Sequence, residues 1–116
     1  MSAVNDTLLT NSSESLGTNW TSEALYTNSV YLLSIQLVFT GSPVGIFSLQ
    51  SSNDEYGKVG GPSNWVEIPG SAISISAAGD HTWNFSSISF NFLRVVYTRT
   101  SGTGSLISAQ YHGKGV

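Results

Sequence analysis

Cysteine is absent from this 116-residue chain, which excludes disulfide stapling, thiolate metal sites and a cysteine nucleophile. Charge is almost as scarce. Seven acids and four bases make up 9% of the residues, where an average soluble domain carries roughly 25%. The bases Lys58, Arg94, Arg99 and Lys114 are scattered, and the net charge is −3. With no basic cluster to release counterions from a phosphate backbone, nucleic acid is not expected as a partner. No run comes near the roughly 18 apolar residues of a membrane-spanning helix, so no membrane partner is expected either. The N-terminal stretch MSAVNDTLLTNSSESLG has neither a basic nor an apolar signal-peptide region and is not read as a secretory leader. A helical period is never sustained for three turns, and no internal repeat is visible.

What is present is β-forming. Apolar residues make 40% of the chain and aromatics 11%, enough for one core in one domain. The dominant runs are Val30–Thr40 and Phe92–Thr100, long, β-branched or aromatic and free of glycine and proline, as central strands are. The sequence predicts that these two pair. In the first, Leu33, Ile35, Leu37 and Phe39 share one face, while Leu32, Ser34, Gln36 and Val38 share a half-polar one. Gly41-Ser42-Pro43 reads as a turn into a returning strand, Val44–Ser52. Shorter strands are predicted at Trp20–Asn28, Trp65–Ile68, Ala72–Ser76, Asp80–Phe85 and Ser105–Tyr111, with a hairpin at Ser101–Gly104. About eight short strands at spacings of about 8–14 residues predict an all-β, single antiparallel β-sandwich of jelly-roll type. Residues 1–19, polar apart from Leu8 and Leu9, are expected to form an N-terminal arm, with the sandwich domain at residues 20–116.

Catalytic chemistry finds little to stand on. Of the two histidines, His81 directly follows Asp80, and neighbours in a strand point to opposite faces, so they cannot form an orienting dyad. His112 lies in a glycine-rich tail. The chain is therefore not expected to be an enzyme and no cofactor is expected. The longest loop, SSNDEYGKVGGPSN at residues 51–64, is of the length that is usually functional. Its Asn53, Asp54 and Glu55 could offer oxygens to calcium but lack the regular spacing of a calcium loop, so no metal site is assigned. Tyr56 is the aromatic expected to be exposed. For Trp20, Trp65 and Trp83, core packing is expected of at least two, although Tyr56, Trp65, Asn53 and Glu67 together could serve carbohydrate.

The segments GIFSLQSSNDE, NWVEIP, GDHTWNF and FLRVVYTRTSGTGSL resemble small β-sandwich proteins of tailed bacteriophages. The likeness spans residues 36–115 and leaves the first nineteen outside it. It implies a virion component, and the short chain with its polar arm and low charge points to a capsid decoration (cement) protein on the capsid exterior. Its partners would be the major capsid protein or other virion proteins, and it would be a homo-oligomer, dimer or trimer. The alternative is a carbohydrate-binding or tail-fibre module in host adhesion. The contact residues expected are Leu8 and Leu9 of the arm, Leu32, Gln36 and Val38 of the first long strand, and Asn53, Asp54, Glu55, Tyr56 and Lys58 of the loop.

Overall fold

The computed structural model describes residues 3–27 and 30–115, with side chains from Asp6 onward. Among these there is no helix. Two antiparallel sheets face one another across a single core, a β-sandwich. One sheet holds β1 (Ala3–Thr7), β2 (Glu14–Ser15), β5 (Leu32–Gly41), β9 (Gly79–Phe85) and β11 (Gly104–Lys114) in the order β1-β11-β5-β9, with β2 also on β11. The other holds β3 (Trp20–Thr21), β4 (Leu25–Tyr26), β6 (Val44–Ser52), β7 (Val66–Glu67), β8 (Ile73–Ile75) and β10 (Phe92–Ser101). Its order is β3-β10-β6-β7, with β4 on β10 and β8 on β6.

The period-two alternation places the core as expected. Leu33, Ile35, Leu37 and Phe39 of β5 are buried, facing Phe47, Leu49, Leu93, Val95 and Tyr97 of the second sheet. Phe47 sits between Phe39 and Tyr97, with ring centroids 5.6 and 4.7 Å away. Such tilted contacts add to simple area burial.

Pairing differs from the sequence expectation. β5 does not pair with β10: Leu32–Gly41 runs against β11, while β10 runs against Val44–Ser52. The pairing runs from Leu32↔Lys114 through Gly41↔Gly104 and Ser101↔Val44 to Phe92↔Ser52, interrupted only by two register shifts. The two chain segments thus form one long antiparallel ribbon that is folded over, half in each sheet. The predicted turns at Gly41–Pro43 and Ser101–Gly104 are consequently not hairpins but the two corners of that fold, stacked on one another. Register shifts between Arg99 and Ser101 and between Leu106 and Ser108 flank the corner on one strand, and such bulges increase local bend and twist. Only glycine fits here. A Cβ on Gly102 would lie 2.2 Å from the Ser42 carbonyl oxygen and one on Gly104 2.3 Å from that of Thr40.

The predicted strand Trp20–Asn28 is split in two, and its last residue lies outside the described ones. Its interruption has a local cause. The Ser22 hydroxyl takes the Val95 N–H at 2.9 Å, replacing a ladder carbonyl, so the pairing steps by one residue between β3 and β4. The N-terminal segment lies on its own sandwich. β1 pairs along β11 from Ala3↔Lys114 to Thr7↔Gln110, Leu8 is buried, and Leu16 is fully enclosed.

Candidate docking surface

The long loop between β6 and β7 is built around one carboxylate. Asp54 Oδ2 accepts the backbone N–H groups of Ser63 (2.7 Å) and Asn64 (2.9 Å) and the Lys58 ammonium (3.2 Å), while Oδ1 accepts the Asn64 side-chain amide (2.8 Å). Lys58 Nζ also donates to Ser63 Oγ at 2.6 Å. Hydrogen bonds from Asn64 and Ser63, with a smaller part from Lys58, hold the Asp54 carboxyl far below the ordinary carboxylate range. At the other end of the loop, Asn53 Oδ1 accepts the Asn91 N–H (3.1 Å), and the Asn91 amide donates to the Asp54 carbonyl (3.2 Å). The base of the loop is therefore pinned by polar side chains rather than by a ladder.

What the pinned base presents is apolar. Between Gly57 and the pair Gly60-Gly61, all three at positive φ, Val59 stands 97% exposed. Tyr56 and Val66 are each 68% exposed. The Tyr56 ring lies 4.3 Å from that of Tyr26, and Tyr26 lies 5.2 Å from Phe92. This stack continues on to the outer face of the second sheet, where Arg94, Gln50 and Glu67 form one cross-strand row. Arg94 Nε donates to Gln50 Oε1 at 2.7 Å and its guanidinium covers the Trp65 ring at 4.2 Å. Partial burial lowers the Arg94 pKa from its ordinary value.

The expected contact residues divide three ways. Leu8 is core and Leu9 packs against it, so these two side chains serve the fold, a correction to their reading as free arm contacts. Their packing adds to the β1–β11 ladder and to the Leu8 N–H bond to the Ala109 carbonyl in holding the N-terminal segment on the sandwich. Leu32, Gln36 and Val38 lie together on the outer face of the first sheet, away from the loop. Asn53, Asp54 and Lys58 do come together, but as the scaffold of the loop. Glu55 and Tyr56 are exposed on it. Trp65, which the sequence offered only as part of a carbohydrate site, belongs to the same surface, and Tyr26, Val59, Val66 and Arg94, also on it, escaped the sequence reading. The available signal was a lone valine inside KVGG, an apolar residue among glycines with nothing of its own to pack on.

The loop is a poor cation site, because both Asp54 oxygens already face donors. Among the described residues no three His, Asp or Glu side chains gather as metal ligands. Of the residues suggested for carbohydrate, the Trp65 ring is covered by Arg94 and Asn53 is engaged by Asn91. Trp83 is buried, its indole N–H donating to the Ser71 carbonyl at 2.9 Å. Trp20 packs on the core as well.

The sequence matches no protein-family model, and no curated protein is significantly similar to it. Solved structures do share the fold. The SPBc2 prophage-derived protein YomS is similar at a TM-score of 0.57 and 10% identity, over 97% of this chain and 92% of that one. A chain from infectious bursal disease virus, Gx strain, is similar at 0.52 and 15% identity, over 97% of this chain but 31% of its own. A chitosan-binding module from a chitosanase/glucanase of Paenibacillus sp. IK-5 is similar at 0.48 and 17% identity, too loosely to argue from.

Proposed function

We propose that this chain is a non-enzymatic structural protein of a virion, a decoration protein that seats on the outer surface of an assembled phage head. One observation carries the reading: a loop pinned at its base by Asp54 holds Tyr56 and Val59 out in solvent, beside an exposed Val66 at the start of β7. Exposed apolar side chains on a fixed backbone are a docking feature more than a folding one, because the cost of ordering them is met before a partner arrives. The scarcity of charge supports the same view, since a surface covered by neighbours needs little of its own. The fold-level likeness to a prophage-derived protein and to a chain of a virus agrees with this assignment.

A decoration protein acts by mass action: it binds the assembled shell and not the dissociated subunits, and so stabilises the shell. Repeated identical sites add avidity when the protein is itself oligomeric. The test is co-sedimentation with expanded, undecorated heads, with shell disruption followed by heating. Binding at a symmetry-related stoichiometry with a raised disruption temperature is expected, and Val59→Asp should abolish both. If the protein stays in the supernatant with heads of its own phage, the decoration reading falls and a tail or glycan partner takes its place.

A further inference from the structure

We infer that two copies of this chain join edge to edge through β9, about a two-fold axis at Thr82. β9 (Gly79–Phe85) pairs with β5 on one side and, among the described residues, with no strand on the other. It is seven residues long, in unbroken register with β5, and contains neither proline nor lysine. Open edges in native proteins are usually short, bulged or guarded by such residues. This one is not.

The backbone parity shows which groups are free. The Leu8 N–H donates to the Ala109 carbonyl (2.7 Å), so Ala109, Tyr111 and Gly113 turn their backbone groups towards β1, and Ser108, Gln110 and His112 turn theirs towards β5. On β5, Ser34, Gln36 and Val38 then spend theirs on β11, and Leu33, Ile35 and Leu37 on β9. Their partners Phe85, Trp83 and His81 are therefore used. Asp80, Thr82 and Asn84 point every N–H and C=O outward.

An antiparallel strand centred on Thr82 meets all of these. Thr82 faces Thr82 of the second copy as a hydrogen-bonded pair, and Asp80 faces Asn84 in both directions. Centring on Asp80 instead would set carboxylate against carboxylate, which is unfavourable. On the inner face, His81 of one copy would stand opposite Trp83 of the other. There a depression of about 180 Å³, lined by Ile68, Gly70, Trp83 and Phe85, opens beside the edge. In each copy His81 already approaches Trp83 edge-on at 4.8 Å. The order β1-β11-β5-β9 would continue into β9-β5-β11-β1 of the second copy, leaving the Tyr56–Val59 loops of both free to dock. The interface stands independently of what those loops engage.

Sedimentation velocity over a wide concentration range, with far-UV circular dichroism as a check on folding, tests the pairing. The full chain should dimerise. Thr82→Pro removes an N–H that serves no internal ladder and suits an edge strand, so it should leave a folded monomer. Asn84→Asp places two like-charge pairs across the axis and should weaken the dimer about tenfold. Adding Asp80→Asn to it should restore the affinity, because an acid again faces an amide. A wild-type chain that stays monomeric throughout overturns the inference. So does a dimer that survives in folded Thr82→Pro, or an Asn84→Asp defect that Asp80→Asn does not repair.

Discussion

The two ends of the sandwich use glycine for opposite reasons. At the folded-over corner, Gly41 and Gly102 have positive φ and also no room: a Cβ on Gly41 would meet Gly104 Cα at 2.7 Å, and one on Gly102 would meet backbone at 2.2 Å. At the opposite end, Gly57, Gly60 and Gly61 have positive φ with nothing within 4 Å. The first end is closed by backbone lying against backbone, the second by side chains hydrogen-bonding around Asp54. A close approach of two main chains leaves one solution, whereas a side-chain network that fixes the loop leaves the choice of side chains at its tip open. The corner therefore constrains the fold, and the loop is the part left to carry the proposed docking.

The sharpest way to break this contrast is Gly102→Ala. Left-handed backbone costs an alanine about 1–2 kcal/mol, and forcing atoms into filled space costs roughly 1–3 more. A loss of about 4 kcal/mol in chemical denaturation is expected, with cooperative unfolding retained. Gly60→Ala carries the backbone cost alone, so about 1 kcal/mol is expected there. If the two variants were equally destabilised, the corner would not be the tighter end.

The corner also explains how far the sequence could be read. Alternation told which residues of Leu33–Phe39 share a face, because side-chain direction in a strand is local. Pairing is not local. Long apolar strands such as β5 and β10 have no residue that names a partner, and two-residue connections ordinarily signal hairpins. A clue lay in the matching layout of the two halves: a long strand, a short glycine corner, then a second long strand, twice over. Loop length marked 51–64 as a candidate surface. Its internal wiring was not legible, since nothing in NDEY distinguishes an Asp that organises a loop from one that is merely solvated. Leu8 was misplaced for a related reason: a single apolar pair in a polar segment gives no periodicity.

A smaller effect, of opposite sign, comes from the core beneath the corner. Tyr97 is fully buried against Phe47 and against Gly45, where a Cβ would come within 2.6 Å of its hydroxyl. That hydroxyl has no hydrogen-bond partner among the described residues, and burial raises its pKa. An unpaired buried polar group costs about 1–3 kcal/mol. Tyr97→Phe should accordingly be neutral to stabilising, by up to about 1 kcal/mol, in the same denaturation assay. A clear loss of stability would mean that the hydroxyl is satisfied in solution.

The least disturbing change globally is at Asp54. Its carboxyl is depressed when the chain is folded, so its contribution to loop order is complete above the ordinary carboxylate pKa near 3.9 and is lost only as pH falls through the lowered value. Near pH 3 (about one unit below that ordinary value), a free aspartate would be mostly protonated, yet Asp54 should remain ionised. The amides of Ser63 and Asn64, both donors to Oδ2, should keep their exchange protection at that pH. Asp54→Asn replaces one acceptor by an NH₂ among donors, so those two amides should exchange more than tenfold faster at neutral pH, while Tm moves by no more than about 2 °C. A large drop in Tm would show that the loop supports the sandwich. Unchanged exchange would show that the carboxylate does not hold the loop. With exchange altered and Tm preserved, the exposed tip would be loosened without touching the fold, and weaker binding of that variant to phage heads, in the co-sedimentation assay proposed above, would then report on the rigidity of the loop alone.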